Sequence, residues 1–119
     1  MAAPPVARAE APIEWSLVLT DDEQVAELNE QYREKKGTTD VLSFPAADAL
    51  HPGLLGDVVI SVEQAARQAS DELEAEIVRL MVHGLCHLRG HDHHRAEQRK
   101  AMRAAEQALL APLGLTSML

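Results

Sequence analysis

The sequence predicts a single α+β domain, a small mixed β-sheet packed with helices, one of them a zincin-like metal-binding helix. Three observations lead there. The chain has 119 residues, 46% of them hydrophobic, which suits one domain with one core and not a disordered tail. Its apolar patterning reads strand, helix, strand, strand and then helices. Five of its six histidines fall in one stretch, HGLCHLRGHDHH, at residues 83–94.

The elements follow in order. IEWSLVLT, 13–20, alternates: Trp15, Leu17 and Leu19 point one way, and Ser16, Val18 and Thr20 the other. A helix then runs through DDEQVAELNEQYREKKG, 21–37. Asp21 or Asp22 can cap it, Val25, Leu28 and Tyr32 fall at helical spacing, and Gly37 can close it. DVLSFP, 40–45, is a short strand ended by Pro45, and AADALHPG, 46–53, is a loop. LLGDVVIS, 54–61, is a third strand whose Val58, Val59 and Ile60 form a continuous apolar run. VEQAARQAS, 62–70, is helical. Asp71 and Glu74 have the spacing of a capping box for the next helix, which runs to Leu88. Ile77, Leu80, Met81, Gly84 and Leu88 lie on or near its apolar stripe, and Gly90 stops it. The last helix begins near Ala96, turns Met102, Ala105, Leu109 and Leu110 inward and ends near Pro112. Residues 1–12 read as a flexible leader and 116–119 as a tail around a domain of residues 13–115.

Composition bounds the function. Aromatic residues are only Trp15, Tyr32 and Phe44, so the core is aliphatic and base stacking is a minor means of recognition. No apolar run reaches the roughly 18 residues of a membrane span. The opening MAAPPVARAEAP has no apolar segment of a secretory signal. A lone cysteine, Cys86, makes no internal disulfide, so the chain is expected in the cytoplasm. The formal net charge of −8 argues against binding nucleic acid over a broad surface. It leaves room for a local site, because Arg89, Arg95, Arg99, Lys100 and Arg103 cluster in one segment and Arg33, Lys35 and Lys36 in another. Taken alone, both clusters are solvated helix faces.

The histidines carry the chemistry. His83 and His87 are four apart on a helix, so both rings lie on one face, one turn apart. Gly90 lets the chain turn back, and His93 can bring a third imidazole from the turn. Three imidazoles with one open position is the arrangement of a catalytic zinc site. The spacing matches that of metzincin proteases with one difference: the general-base glutamate that follows their first histidine is here Gly84. His91 and His94 read as surface residues or as supports behind the ligands. Cys86 points about 60° away from His83 on the helical wheel and reads as a small buried side chain. Asp92 either orients a ligand ring or holds a water, or caps the last helix. Arg89 reads as a surface residue.

Three blocks resemble the YbeY family, in that family's order. They are HGLCHLRGHDH, LNEQYREKKGTTDVLSFP and LLGDVVIS, and the resemblance covers roughly residues 13–115. It implies a metal-dependent endoribonuclease acting on single-stranded RNA. The implied work is ribosomal RNA maturation, particularly at the 3′ end of small-subunit RNA, and ribosome quality control. The implied partners are an rRNA precursor and the ribosome or ribosomal proteins, with no membrane and no DNA. One zinc ion, Zn2+, is implied at His83, His87 and His93, and a functional arginine at Arg33. A planar guanidinium suits that role, since it grips phosphate oxygens with two parallel hydrogen bonds. Cys86 stands where the family usually has leucine, and His91 where it has tyrosine. Family members carry a further strand and helix ahead of IEWSLVLT, so an exposed sheet edge and apolar face are expected there. Two other readings stand beside the nuclease. A zinc peptidase-like hydrolase would need a base near the first ligand. A non-enzymatic ribosome-associated factor would use its zinc only for stability.

Overall fold

The computed structural model describes residues 13–33, 37, 39–46, 50 and 53–119. The leader expected at 1–12 lies outside them. At the centre is β3 (Leu54–Ser61), with one strand hydrogen-bonded on each side. β1 (Glu14–Thr20) runs parallel to it, with Leu17 opposite Val58, and β2 (Val41–Pro45) runs antiparallel, with Ser43 opposite Val58. The expected mixed sheet therefore forms. Its central strand is apolar without alternation because both faces are covered. Val58 and Ile60 pack with Ala65 and Leu80, while Val59 packs with Val25 and Leu42.

The helix α1 (Asp22–Arg33) supplies Val25 and Leu28 to that second cluster. Asp21 caps it, accepting the Gln24 N–H at 2.9 Å. Asp22 is left to accept from Ser61 Oγ at 2.6 Å and to pair with Arg67. Gly37 has φ +90°, the conformation expected of a closing glycine, and residues 34–36 lie outside the described set. β1 is an edge strand among the described residues. Leu17, Val18 and Leu19 are 38%, 44% and 49% exposed.

After the short α2 (Val62–Gln68), capped by Ser61, comes α3 (Leu73–Leu88). Its stripe of Ile77, Leu80, Met81 and Leu88 packs on the sheet as the sequence predicts. A second row, Val82 and Cys86 with Val78 beside them, packs against Met102 and Leu110 of α4 (Ala96–Leu110). Thus α3 is buried on two sides. The capping box expected from Asp71 and Glu74 is not formed. The N-cap is Glu72, without a side-chain bond, because the Asp71 carboxylate is taken by Arg79, two turns along, at 2.9 and 2.5 Å. That guanidinium holds Asp71 below the usual carboxylate range, and Asp71 in turn raises Arg79. Leu109 was also expected inward, yet it is 47% exposed. The buried row of α4 is Met102, Glu106 and Leu110, an i+4 ridge of the kind that crossing helices bury. A 3₁₀ turn, Ala111–Leu113, follows, and residues 115–119 fold back along α4. Among the described residues, no helix is long and apolar enough to cross a membrane.

Candidate metal centre

Helix α3 ends in a way that builds the site. Gly90 has φ +93°, its N–H bonds the carbonyl of His87 at 3.0 Å, and the His91 N–H bonds that of Cys86 at 3.0 Å. This is a Schellman closure, and it satisfies carbonyls that a helix end would leave unpaired. It also turns the chain back over the last turn of α3. His93 then arrives beside the two helical histidines. The ring centroids are 4.8 Å apart for His83 and His87, 5.5 Å for His83 and His93, and 5.3 Å for His87 and His93. One ligand atom from each lies within 4.8 Å of the others. Three nitrogens bound tetrahedrally to zinc at about 2.0–2.1 Å would stand about 3.4 Å apart, so small ring movements suffice to close such a site.

Two rings are held from behind. His83 Nδ1 meets Oε2 of Glu106 at 2.8 Å, and His87 Nδ1 meets the carbonyl of His91 at 2.9 Å. With both Nδ1 atoms engaged, each ring presents Nε2 to the centre, the arrangement expected of histidine ligands. Burial, aided by the His83 ring, holds His87 below its ordinary pKa of 6.5 against the raising effect of the His91 carbonyl. Its ring is therefore neutral near pH 7, as ligation requires. The three imidazoles together form a donor set that could hold a metal ion.

The other residues singled out in the sequence take clear places. Cys86 is 2% exposed, and burial pushes its thiol up to about 11, with Glu106 adding to the effect. It packs between α3 and α4 as a small apolar side chain. Asp92 neither meets a ligand ring nor caps α4. Its carboxylate accepts the His93 N–H at 2.8 Å, which holds it below the usual range and fixes the backbone of the third histidine. The cap of α4 is Arg95, whose backbone N–H bonds Gln98 Oε1 at 3.2 Å. His91 supports His87 through its carbonyl, not its ring. His94 is exposed and lies 3.2 Å from Asp92. Arg89 is exposed. Arg33 closes α1, and its side chain lies outside the described residues.

Gly84 is more than a missing base. A Cβ at this position would lie 2.6 Å from Val58 Cγ1, so α3 rests on β3 with no space for a side chain. The Gly84 carbonyl also accepts from Ser43 Oγ at 3.1 Å. What the sequence reading missed is Glu106. The signal was present, for Met102, Glu106 and Leu110 are spaced by four, and a carboxylate on a buried ridge needs a partner. The histidines face a cleft of about 830 Å³ whose walls include Thr39, Ser43, Arg99 and Met118.

The family model described as Endoribonuclease YbeY matches residues 3–114. The chain is 47% identical over 103 residues to the Endoribonuclease YbeY of Carboxydothermus hydrogenoformans, covering 84% of this chain and 72% of that one. It is 46% identical over 112 residues to the Endoribonuclease YbeY of Myxococcus xanthus, covering 88% of this chain but only 38% of that relative. Among solved structures, the Thermotoga maritima protein TM1509 is similar with a TM-score of 0.55 and 23% identity. That match covers 92% of this chain and 76% of that one and is a likeness of fold.

Proposed function

The chain belongs to the endoribonuclease YbeY family, and on that premise we propose that it cleaves single-stranded RNA at a zinc ion held by His83, His87 and His93. The observation that carries this reading is the cluster of three imidazoles, one ligand nitrogen from each within 4.8 Å of the others, two of the rings fixed from behind through Nδ1. A zinc ion there supplies Lewis-acid chemistry and acidifies water. The chain's own residues do the rest. Glu106 and the His91 carbonyl keep two ligand rings in the tautomer that offers Nε2. Arg33 grips the phosphodiester and offsets the negative charge that gathers on phosphorus during cleavage. Arg99, on the cleft wall, offers a second cation to the phosphate backbone.

The biological setting we propose is maturation of ribosomal RNA, at the 3′ end of the small-subunit RNA, and ribosome quality control in the cytoplasm. With a net charge of −8, broad electrostatic capture of RNA is weak. Docking on the ribosome or a ribosomal protein then supplies targeting. A peptidase reading finds no support at the place where a protease carries its base, since that place is Gly84, where any side chain would run into Val58. The test is cleavage of a labelled single-stranded RNA by zinc-loaded protein beside Arg33→Ala and His87→Ala. Cleavage lost in both variants while they stay folded is the expected result. A folded, zinc-bound wild type without turnover would return the domain to a non-enzymatic role.

A further inference from the structure

We propose that Ser117 is a positioning residue for the metal centre, its hydroxyl orienting the Glu106 carboxylate that fixes the His83 ring. This rests on the reading of His83 as a ligand. Glu106 is 0% exposed, so each of its oxygens needs a donor from the protein. Oε2 meets His83 Nδ1 at 2.8 Å, and Oε1 accepts from Ser117 Oγ at 2.9 Å. The terminal torsion of a glutamate is soft, so one bond leaves the plane of the carboxylate free to turn. Bonds to both oxygens fix it.

Ser117 is itself held. Its N–H bonds Gln107 Oε1 at 2.9 Å, and Gln107 Nε2 bonds the Leu115 carbonyl at 3.0 Å. Gln107 thus pairs with the backbone of the returning segment from one helical position beyond Glu106. The Leu119 N–H donates to Ser117 Oγ at 3.0 Å. With that lone pair engaged, the hydroxyl proton is left to point at Glu106. Met118 and Leu119 then reach the wall of the histidine cleft. One short strap therefore sets a ligand and part of the substrate surface together.

The consequence is a choice of tautomer. A fixed Oε2 keeps the His83 proton on Nδ1 and leaves the Nε2 lone pair facing the centre. Without the hydroxyl, the carboxylate turns and His83 gains population with its proton on Nε2, a form that does not ligate through that atom.

The test compares wild type, Ser117→Ala and Ser117→Thr in the full chain. Nitrogen-15 NMR of the histidine rings before metal addition reads the His83 tautomer, and competition with a chromophoric chelator reads zinc affinity. Wild type and Ser117→Thr are expected to hold the Nδ1–H form, whereas Ser117→Ala is expected to show a mixture and about tenfold weaker zinc binding. Wild-type tautomer and affinity in Ser117→Ala would overturn the proposal. His83→Ala keeps the two readings apart. Zinc binding undiminished in that variant would remove His83 from the ligand set, while the NMR comparison would still decide whether Ser117 sets the ring.

Discussion

Gly84→Ala is expected to lift α3 from the sheet. The added methyl would stand 2.6 Å from Val58 Cγ1, 3.1 Å from Val58 Cγ2 and 3.1 Å from Ser43 Oγ. Carbon atoms rest at about 3.5 Å or more, so the closest pair must part by about 0.9 Å. Val58 gives little, since it is fully buried on the central strand with β1 and β2 hydrogen-bonded on either side. The helix has to move, and it carries His83 next to the substitution. Overpacking costs about 1–3 kcal/mol, and an overlap of about 0.9 Å against a fully buried side chain belongs in the upper part of that range, about 2–3 kcal/mol. Alanine's better helix propensity offsets about 1 kcal/mol of that. The net loss is about 1–2 kcal/mol, or a fall in Tm of about 4–8 °C for a domain of this size. Thermal and urea unfolding of metal-free protein measure the loss, and chelator competition reports whether zinc affinity falls with it. A Gly84→Ala protein as stable as wild type, or more stable, would refute the account of why this position carries no side chain.

Glu106→Gln keeps an acceptor for His83 but loses the charge, and zinc affinity should fall about tenfold. Glu106→Ala should cost nearer a hundredfold, both read by chelator competition. The Cys86 thiol, pushed up to about 11 by burial, stays protonated near pH 8 and should resist a thiol reagent until the chain is unfolded. Rapid labelling of folded protein would contradict its packing between α3 and α4. His87 titrates below 6.5 in the folded chain and near that value in the unfolded one. The folded state then binds fewer protons just below 6.5, so stability of the metal-free protein rises with pH through that window and is lost as pH falls. Urea midpoints between about pH 7.5 and about pH 5 should therefore drop less for His87→Gln than for wild type. Equal drops would place the acid sensitivity elsewhere.

The candidate site was legible in the sequence where its geometry is local. A four-residue helical spacing and a helix-ending glycine are enough to bring His83, His87 and His93 together, and each depends on backbone rules that need no partner. What lay beyond reach was set by distant chain. Asp71 carries the local signature of a cap, but a guanidinium two turns away offers two charge-assisted bonds against one backbone N–H, and the longer-range contact wins. Gly84 read as an absence of chemistry because nothing in the order of residues says that Val58 comes to face it. Glu106 was hidden by the same limit, for its partner lies 23 residues earlier on another helix. The strands followed their patterns well. The continuous apolar run of Val58 to Ile60 suits a strand covered on both faces, while the alternation in β1 by itself does not say that its leucines are exposed at an edge.

The bond between Glu106 and His83 also gives the centre a place in time. The ligands leave the ribosome first. The carboxylate behind His83 follows 23 residues later, and Ser117 a further 11 after that. At roughly 5–20 residues per second, the interval before Glu106 appears is about 1–5 s. During it, His83 has no acid behind it, His93 joins it only for the last 13 residues, and Val82 and Cys86 still wait for α4 to dock. The centre is finished only when the last helix has folded onto the one before it. Full metal affinity is therefore expected only once Glu106 and Ser117 have been made and α4 has docked on α3.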